Sequence, residues 1–219
     1  MKDETKHVQM NEAMWDKWAE EDTLDNNGRN SKFLRAAQSK VISLLNLQPN
    51  VHFLDIGCGT GWAVGQAANL VKGNGLFYGV DLSPKMIEKA KNNFSGKDNF
   101  RFLQANSESI PLDDNFFDII ICTNSFHHYL HPDKALEEMH RLLKSGGKLY
   151  IVDPLADSWI VRFFDEMHKW IEPEHVKFYS TKEFQQLFEQ AGLKYSSATT
   201  NWQQGIHIGE KNLVLQIEI

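Results

Sequence analysis

The stretch Val51-His52-Phe53-Leu54-Asp55-Ile56-Gly57-Cys58-Gly59-Thr60-Gly61 decides the fold. Val51–Ile56 is a short, largely apolar run of strand length that ends in glycines. Beyond them Val64, Ala67, Ala68 and Val71 recur at i, i+3, i+4 and i+7, so Ala63–Val71 reads as an amphipathic helix. Glycines between a strand and a helix permit a tight turn and let a ligand approach the N–H groups of a helix start. Turning alone seldom needs three alternating glycines. In open α/β sheets, ligands bind beyond the carboxyl ends of the strands, where strand order reverses.

The alternation continues downstream. Leu76–Leu82 is a second strand, and Ser83-Pro84 supplies a helix cap and a first-turn proline. The helix it opens carries Met86, Ile87, Ala90 and Phe94 on one face. Phe100–Gln104 is a weaker third strand, and Phe117–Cys122 a nearly continuous apolar run suited to a sheet covered on both faces. Asp133–Lys144 is helical and stops at Ser145-Gly146-Gly147, and Leu149–Val152 is the fifth strand. Strands alternating with helices imply right-handed crossovers and a doubly wound parallel sheet.

The flanks depart from this repeat. Two helices, around Asn11–Glu20 and over Ser31–Leu47, precede the first strand. An extra helix places Ile160, Phe163, Phe164, Met167 and Ile171 on one face, before a helix over Glu183–Ala191. Tyr195–Thr200 and Leu213–Ile219 are joined by a loop too short for a crossover helix, so they are expected to pair antiparallel. The expectation is a single α/β domain over 1–219 with seven strands, one reversed near the C-terminus. Residues 1–48 form a helical lid, 49–153 the core, 154–180 an insertion, and 181–219 the last helix and strand pair.

Composition narrows the function. The 219 residues are 42% hydrophobic and 24% charged, ordinary for a globular chain. With 23 Lys and Arg against 29 Asp and Glu, the net charge is −6, which repels phosphate backbones and argues against a nucleic-acid partner. Cys58 and Cys122 lie in apolar text without a Cys-x-x-Cys and read as reduced, buried thiols. The first residues lack the apolar core of a signal peptide, and no apolar run approaches the ~20 residues that cross a bilayer. A cytoplasmic protein is expected.

Spacing separates two nucleotide classes. A dinucleotide fingerprint needs Gly-x-Gly-x-x-Gly, and counting from Gly57 its third glycine is Trp62. A nucleoside carrying a short amino-acid arm fits better than a pyrophosphate. Asp81, closing the second strand, can accept from both hydroxyls of a ribose.

With these pieces in order, the chain resembles the class I S-adenosylmethionine-dependent methyltransferases, particularly the small-molecule branch that includes ubiquinone/menaquinone C-methyltransferases. The resemblance runs from Pro49 to Asp153. It rests on Phe53 through Gly61, on Val80-Asp81-Leu82-Ser83-Pro84-Lys85-Met86, on Ile110-Pro111-Leu112 through Phe117-Asp118-Ile119-Ile120, and on His140 through Gly147. It implies that Gly57 and Gly59 contact the cofactor's methionine arm while Asp55 organises their loop. Asp81 then holds the ribose, Leu82 and Met86 flank the adenine, and Asn124 lies beside the methionine arm. Asn106 and Ser107 stand where the family usually has an acid and a small residue reading the adenine edge. Asparagine departs from that pattern but keeps an acceptor oxygen.

Methyl transfer from a sulfonium is an in-line displacement that mostly needs positioning in a dry site. Among Phe126-His127-His128-Tyr129-Leu130-His131, the resemblance makes His128 the candidate base, the imidazole pKa of about 6.5 suiting neutral pH. A purely packing role for these histidines is the competing reading. His127 and His131 stand at i, i+4 but lack a third ligand nearby in sequence, so no metal is expected. Trp15 and Trp18 on the lid, His127, Trp159 on the inserted helix, and Tyr179 are the expected substrate-side residues, suited to an apolar or planar small molecule. Two alternatives stay open: an NAD(P)-dependent oxidoreductase, and a protein that binds the cofactor without turnover.

Overall fold

The computed structural model describes residues 4–20, 29–71, 74–171, 175–199 and 204–212. At the centre of the sheet lies β1 (His52–Ile56), hydrogen-bonded in parallel to β2 (Leu76–Asp81) on one side and β4 (Phe117–Thr123) on the other. Beyond β2 lies β3 (Phe100–Gln104), and beyond β4 lies β5 (Leu143–Pro154), both parallel. The chain thus winds outward one way through β3 and returns to wind the other way from β4. That reversal leaves a crevice between the carboxyl ends of β1 and β4.

Both faces of the sheet are covered because successive strand residues point to opposite sides. Leu54, Ile56, Ile120 and Cys122 pack with Leu136 and Met139 of α5 (Pro132–Leu142) and with Phe184 and Phe188 of α7 (Thr181–Gln190). Phe53, Phe77, Ile119 and Ile121 pack on the other side. There they meet Val41 of α2 (Arg29–Leu44), Val64 and Ala67 of α3 (Trp62–Leu70), and Ile87 and Ala90 of α4 (Pro84–Asn93). The Ser83 hydroxyl caps α4 by accepting from the Met86 amide (3.1 Å). A further helix, α1 (Glu4–Glu20), lies over the crevice, and α6 (Trp159–Ile171) follows β5.

The seven-stranded sheet ends in β7, antiparallel to both β5 and the outer β6 (Leu193–Thr199). The reversed strand is therefore present, but it spans Gln204–Lys211. The stretch Leu213–Ile219, where it was expected, lies outside the described residues. What hid the strand is His207. It occupies an inward position between Ile206 and Ile208, stacking on Phe184 (3.8 Å) and lying 2.8 Å from the Tyr195 hydroxyl. A second correction concerns α5, which stops at Leu142 and not at Ser145-Gly146-Gly147. Leu143 is fully buried and already paired with Phe117, so sheet pairing wins over two further helical residues. Gly146, at φ +77°, serves the irregular entry to β5. Among the described residues no helix is long and apolar enough to cross a membrane.

Candidate active site

The floor of the crevice is the glycine bend. Gly57, Gly59 and Gly61 have φ of +76°, +52° and +83°, a region that L side chains rarely adopt. A Cβ on Gly57 would lie 2.5 Å from Ser125 Oγ, so the bend is closed to any side chain from both directions. The amides of Gly57 and Cys58 donate to the Val80 carbonyl (2.8 and 3.0 Å), tying the bend to β2.

Asp81 joins the bend to the next helix. Its Oδ2 accepts from the Gly59 amide (2.8 Å) and its Oδ1 from the Ser83 amide (2.9 Å). Each carboxylate oxygen keeps further acceptor capacity toward the cavity, whose wall Asp81 forms with Leu82 and Met86. Burial raises its pKa, and the amide donors oppose that rise. One layer beneath, Asp55 is fully buried, and neither of its carboxyl oxygens has a hydrogen-bond partner among the described residues. Burial first, then the charge of Asp81, pushes its pKa up to about 8.

The roof is α1. His7, Asn11 and Trp15, at i, i+4 and i+8, all line the cavity. His7 Nε2 donates to the His128 carbonyl (3.0 Å). On the same helix Asp16 accepts from the Ser83 hydroxyl and the Lys85 amide, and Glu20 pairs with Lys85. The lid is thereby pinned to the start of α4, where negative charge is favoured.

The far wall is the short 3-10 turn Phe126–His128 after β4. The His128 ring lines the cavity, edge-on to Trp15 at 5.4 Å and 4.1 Å from the His127 ring. His127 turns away, placing Nδ1 2.8 Å from Asp153 Oδ1, while its carbonyl accepts from the amides of Val176 and Lys177 (3.0 and 3.2 Å). Burial, with His175 and His168 nearby, pushes the His127 pKa down to about 3, and burial pushes Asp153 up. Behind them His175 Nε2 lies 2.7 Å from Asp165 Oδ1 on α6, an oxygen that also accepts from the Phe178 amide (2.7 Å).

This geometry sits in a stretch with known relatives. Residues 47–192 match the family described as a methyltransferase domain. The chain belongs to that methyltransferase family. It is 34% identical over 146 residues to the uncharacterized methyltransferase YcgJ of Bacillus subtilis, covering 65% of this chain and 56% of that protein. It is 31% identical over 115 residues to the ubiquinone/menaquinone biosynthesis C-methyltransferase UbiE of a Shewanella strain, covering 51% and 46%. The chain thus spans about half the length of these curated relatives. The crystal structure of YcgJ superposes with a TM-score of 0.71 at 24% identity, over 82% of this chain and 100% of that one. A SAM-dependent methyltransferase from Aquifex aeolicus superposes at 0.64 with 25% identity, over 79% and 88%. The oxidoreductase reading falls with this family membership.

In this chain Gly57, Gly59, Asp81, Leu82, Met86, Asn106, Ser107, Asn124, Trp15 and His128 share one cavity wall. Asp55 lies under that wall. Asn106 Oδ1 already accepts from the Glu108 amide (3.0 Å), leaving it one further lone pair. Asn124 holds φ +52° and donates its amide to the Val152 carbonyl (2.8 Å). Four expected substrate-side residues are not on this wall. Trp18 backs Trp15 at 5.4 Å, and His127 faces Asp153. Tyr179 packs between Phe126 and Phe184 at 5.6 and 5.5 Å, and Trp159 is 78% exposed on α6. His131 lies 3.3 Å from Glu4, whereas His127 faces Asp153. Glu4, Glu108 and His131 form a rim group whose ligand atoms lie within 4.8 Å of one another.

Sequence reasoning missed His7, Asn11, Arg35, Gln38 and Tyr129 on the cavity wall, and Asp153 and His175 behind it. For α1 a signal existed: the four-residue spacing of His7, Asn11 and Trp15 marks one helix face. For Asp153 and His175 none did, because their partners lie across the sheet and the insertion.

Proposed function

We propose that the chain is an S-adenosylmethionine-dependent enzyme that methylates a small, apolar or planar acceptor by in-line displacement. The observation that carries this reading is Asp81, gripped by the amides of Gly59 and Ser83 with its remaining lone pairs on the cavity wall. The residues present fit such a cofactor. The bend is a cradle that a Cβ at Gly57 would fill, and Asp55 offers a buried carboxyl without a partner among the described residues. When bound, the cofactor supplies an electrophilic methyl group on a sulfonium.

Asp81 takes the ribose hydroxyls, and Leu82 and Met86 flank the base. An ammonium group near Asp55 favours its ionised form and offsets the burial that now holds it protonated. Trp15 and α1 exclude water from above, and the aromatic face suits a positive sulfur. His128 accepts the proton that the acceptor loses, while the Asp153–His127 pair fixes the turn that carries it.

The test begins with binding. S-adenosylhomocysteine at a hundredfold excess over its Kd should stabilise the protein by about 2.7 kcal/mol, and NADH should not. Labelled methyl transfer to a panel of phenols, quinols and amines then separates an enzyme from a binder. His128→Ala should lower kcat by 10²–10⁴-fold with S-adenosylhomocysteine affinity kept. Stabilisation by NADH, or by neither nucleotide, would overturn the cofactor assignment.

A further inference from the structure

The largest unexplained feature is the outer face of α6. Of the nine large hydrophobic side chains that stand exposed among the described residues, seven belong to this one helix. They are Trp159, Ile160, Phe163, Phe164, Met167, Trp170 and Ile171, with Trp170 89% and Phe163 62% exposed. The inner face is anchored by Val161 and by Asp165, which holds His175 and the Phe178 amide. The exposed row is therefore not a helix laid down the wrong way round.

From these exposures the face presents on the order of 900 Å² of apolar surface. Monomeric proteins rarely show a contiguous apolar patch above roughly 300–600 Å². A standard stable interface takes about 800 Å² from each partner, so one α6 face supplies what a two-fold dimer needs. We infer that α6 is the interface at which two copies of this chain pair, face to face across a two-fold axis.

Helix chemistry favours a second copy over a lipid surface. Helices that lie on membranes carry an excess of Lys and Arg on their polar face. Here Arg162 and Lys169 are balanced by Asp165 and Glu166, in a chain of net charge −6. An antiparallel pairing centred on position 165, the midpoint of the exposed row, sets Trp159 opposite Ile171, Ile160 opposite Trp170 and Phe163 opposite Met167, which is self-complementary in the way a two-fold interface requires. The pairing also bears on the candidate active site. Asp165 of α6 fixes His175 and Phe178, and the adjoining Val176 and Lys177 amides hold the His127 carbonyl beside His128. Covering α6 braces that wall from behind.

The test is the mass in solution of the full chain, by light scattering and sedimentation between about 1 and 100 μM. The expected particle has twice the 25.2 kDa of one chain. The double variant Phe163→Glu, Trp170→Glu should run at the single mass, with its far-UV spectrum and S-adenosylhomocysteine affinity unchanged because neither residue lines the cavity. If that variant does not fold, Trp170→Ser alone should weaken dimerisation at least tenfold. A wild-type chain of single mass at 100 μM overturns the inference. So does a dimer that survives both sets of substitutions. A monomer that co-sediments with phosphatidylcholine vesicles overturns it too, and assigns the face to lipid.

Discussion

Asp55→Asn is the substitution that most directly probes the floor of the crevice. In the unfolded chain this carboxyl ionises near 3.8, whereas burial and Asp81 hold it protonated in the folded protein up to about pH 8. Between those values the unfolded state has released a proton that the native state keeps. Stability therefore falls by about 1.4 kcal/mol per pH unit as pH rises toward 8, and levels off above it. Over pH 6 to 9 the loss is about 3 kcal/mol. Asparagine has the same shape and no proton to lose, so the variant escapes this slope. Other raised acids such as Asp153 titrate in both proteins and cancel in the difference. In thermal melts without ligand, the variant should gain roughly 6–12 °C over wild type between pH 6 and pH 9. Saturating S-adenosylhomocysteine, whose ammonium group favours the carboxylate, should flatten the wild-type slope. A melting difference constant across pH 6 to 9 would refute the protonated, unpartnered Asp55 on which the reasoning stands.

Three further outcomes are expected. Asp81→Ala removes charged acceptors from the Gly59 and Ser83 amides as well as from the ligand, and should weaken S-adenosylhomocysteine binding by at least about a hundredfold in calorimetry. Gly57→Ala combines φ +76° with a 2.5 Å clash on Ser125, so it should cost the fold about 2 kcal/mol or more in urea melts and abolish ligand stabilisation. Burial raises the Cys58 and Cys122 thiols, Cys122 to about 12, so at pH 8 neither should react with a thiol reagent within minutes unless urea is added.

Much of the core is legible in the sequence. Apolar strands at regular intervals, the glycine run and the Ser83-Pro84 cap each act over a few residues, and local chemistry decided them. Residues in register with those strands followed: Gly57, Gly59, Asp81, Leu82 and Asn124 share the cavity because each sits at a strand end or in the turn just beyond it, and Met86 joins them from the first turn of α4. The substrate side was less legible. Its aromatics were grouped by type, yet Tyr179 went into the core and Trp159 outward, since a helix face or loop direction is set by what the element packs against. The last strand was misplaced for a similar reason: on its second covered face Gly205, His207 and Gly209 stand where a sheet buried on both sides calls for apolar residues.

The sequence by itself determined the five parallel strands at the core of the sheet, its switch point and the acid that closes the second strand, because backbone propensity, glycine conformation and hydrophobic period are short-range properties. Tertiary structure alone decided that His7 and Asn11 join Trp15 in closing the cavity, that Asp55 has no hydrogen-bond partner among the described residues, and that His127 answers to Asp153. Those outcomes depend on burial and on partners far apart in the chain. Desolvation and long-range pairing exist only once the layers have closed on one another.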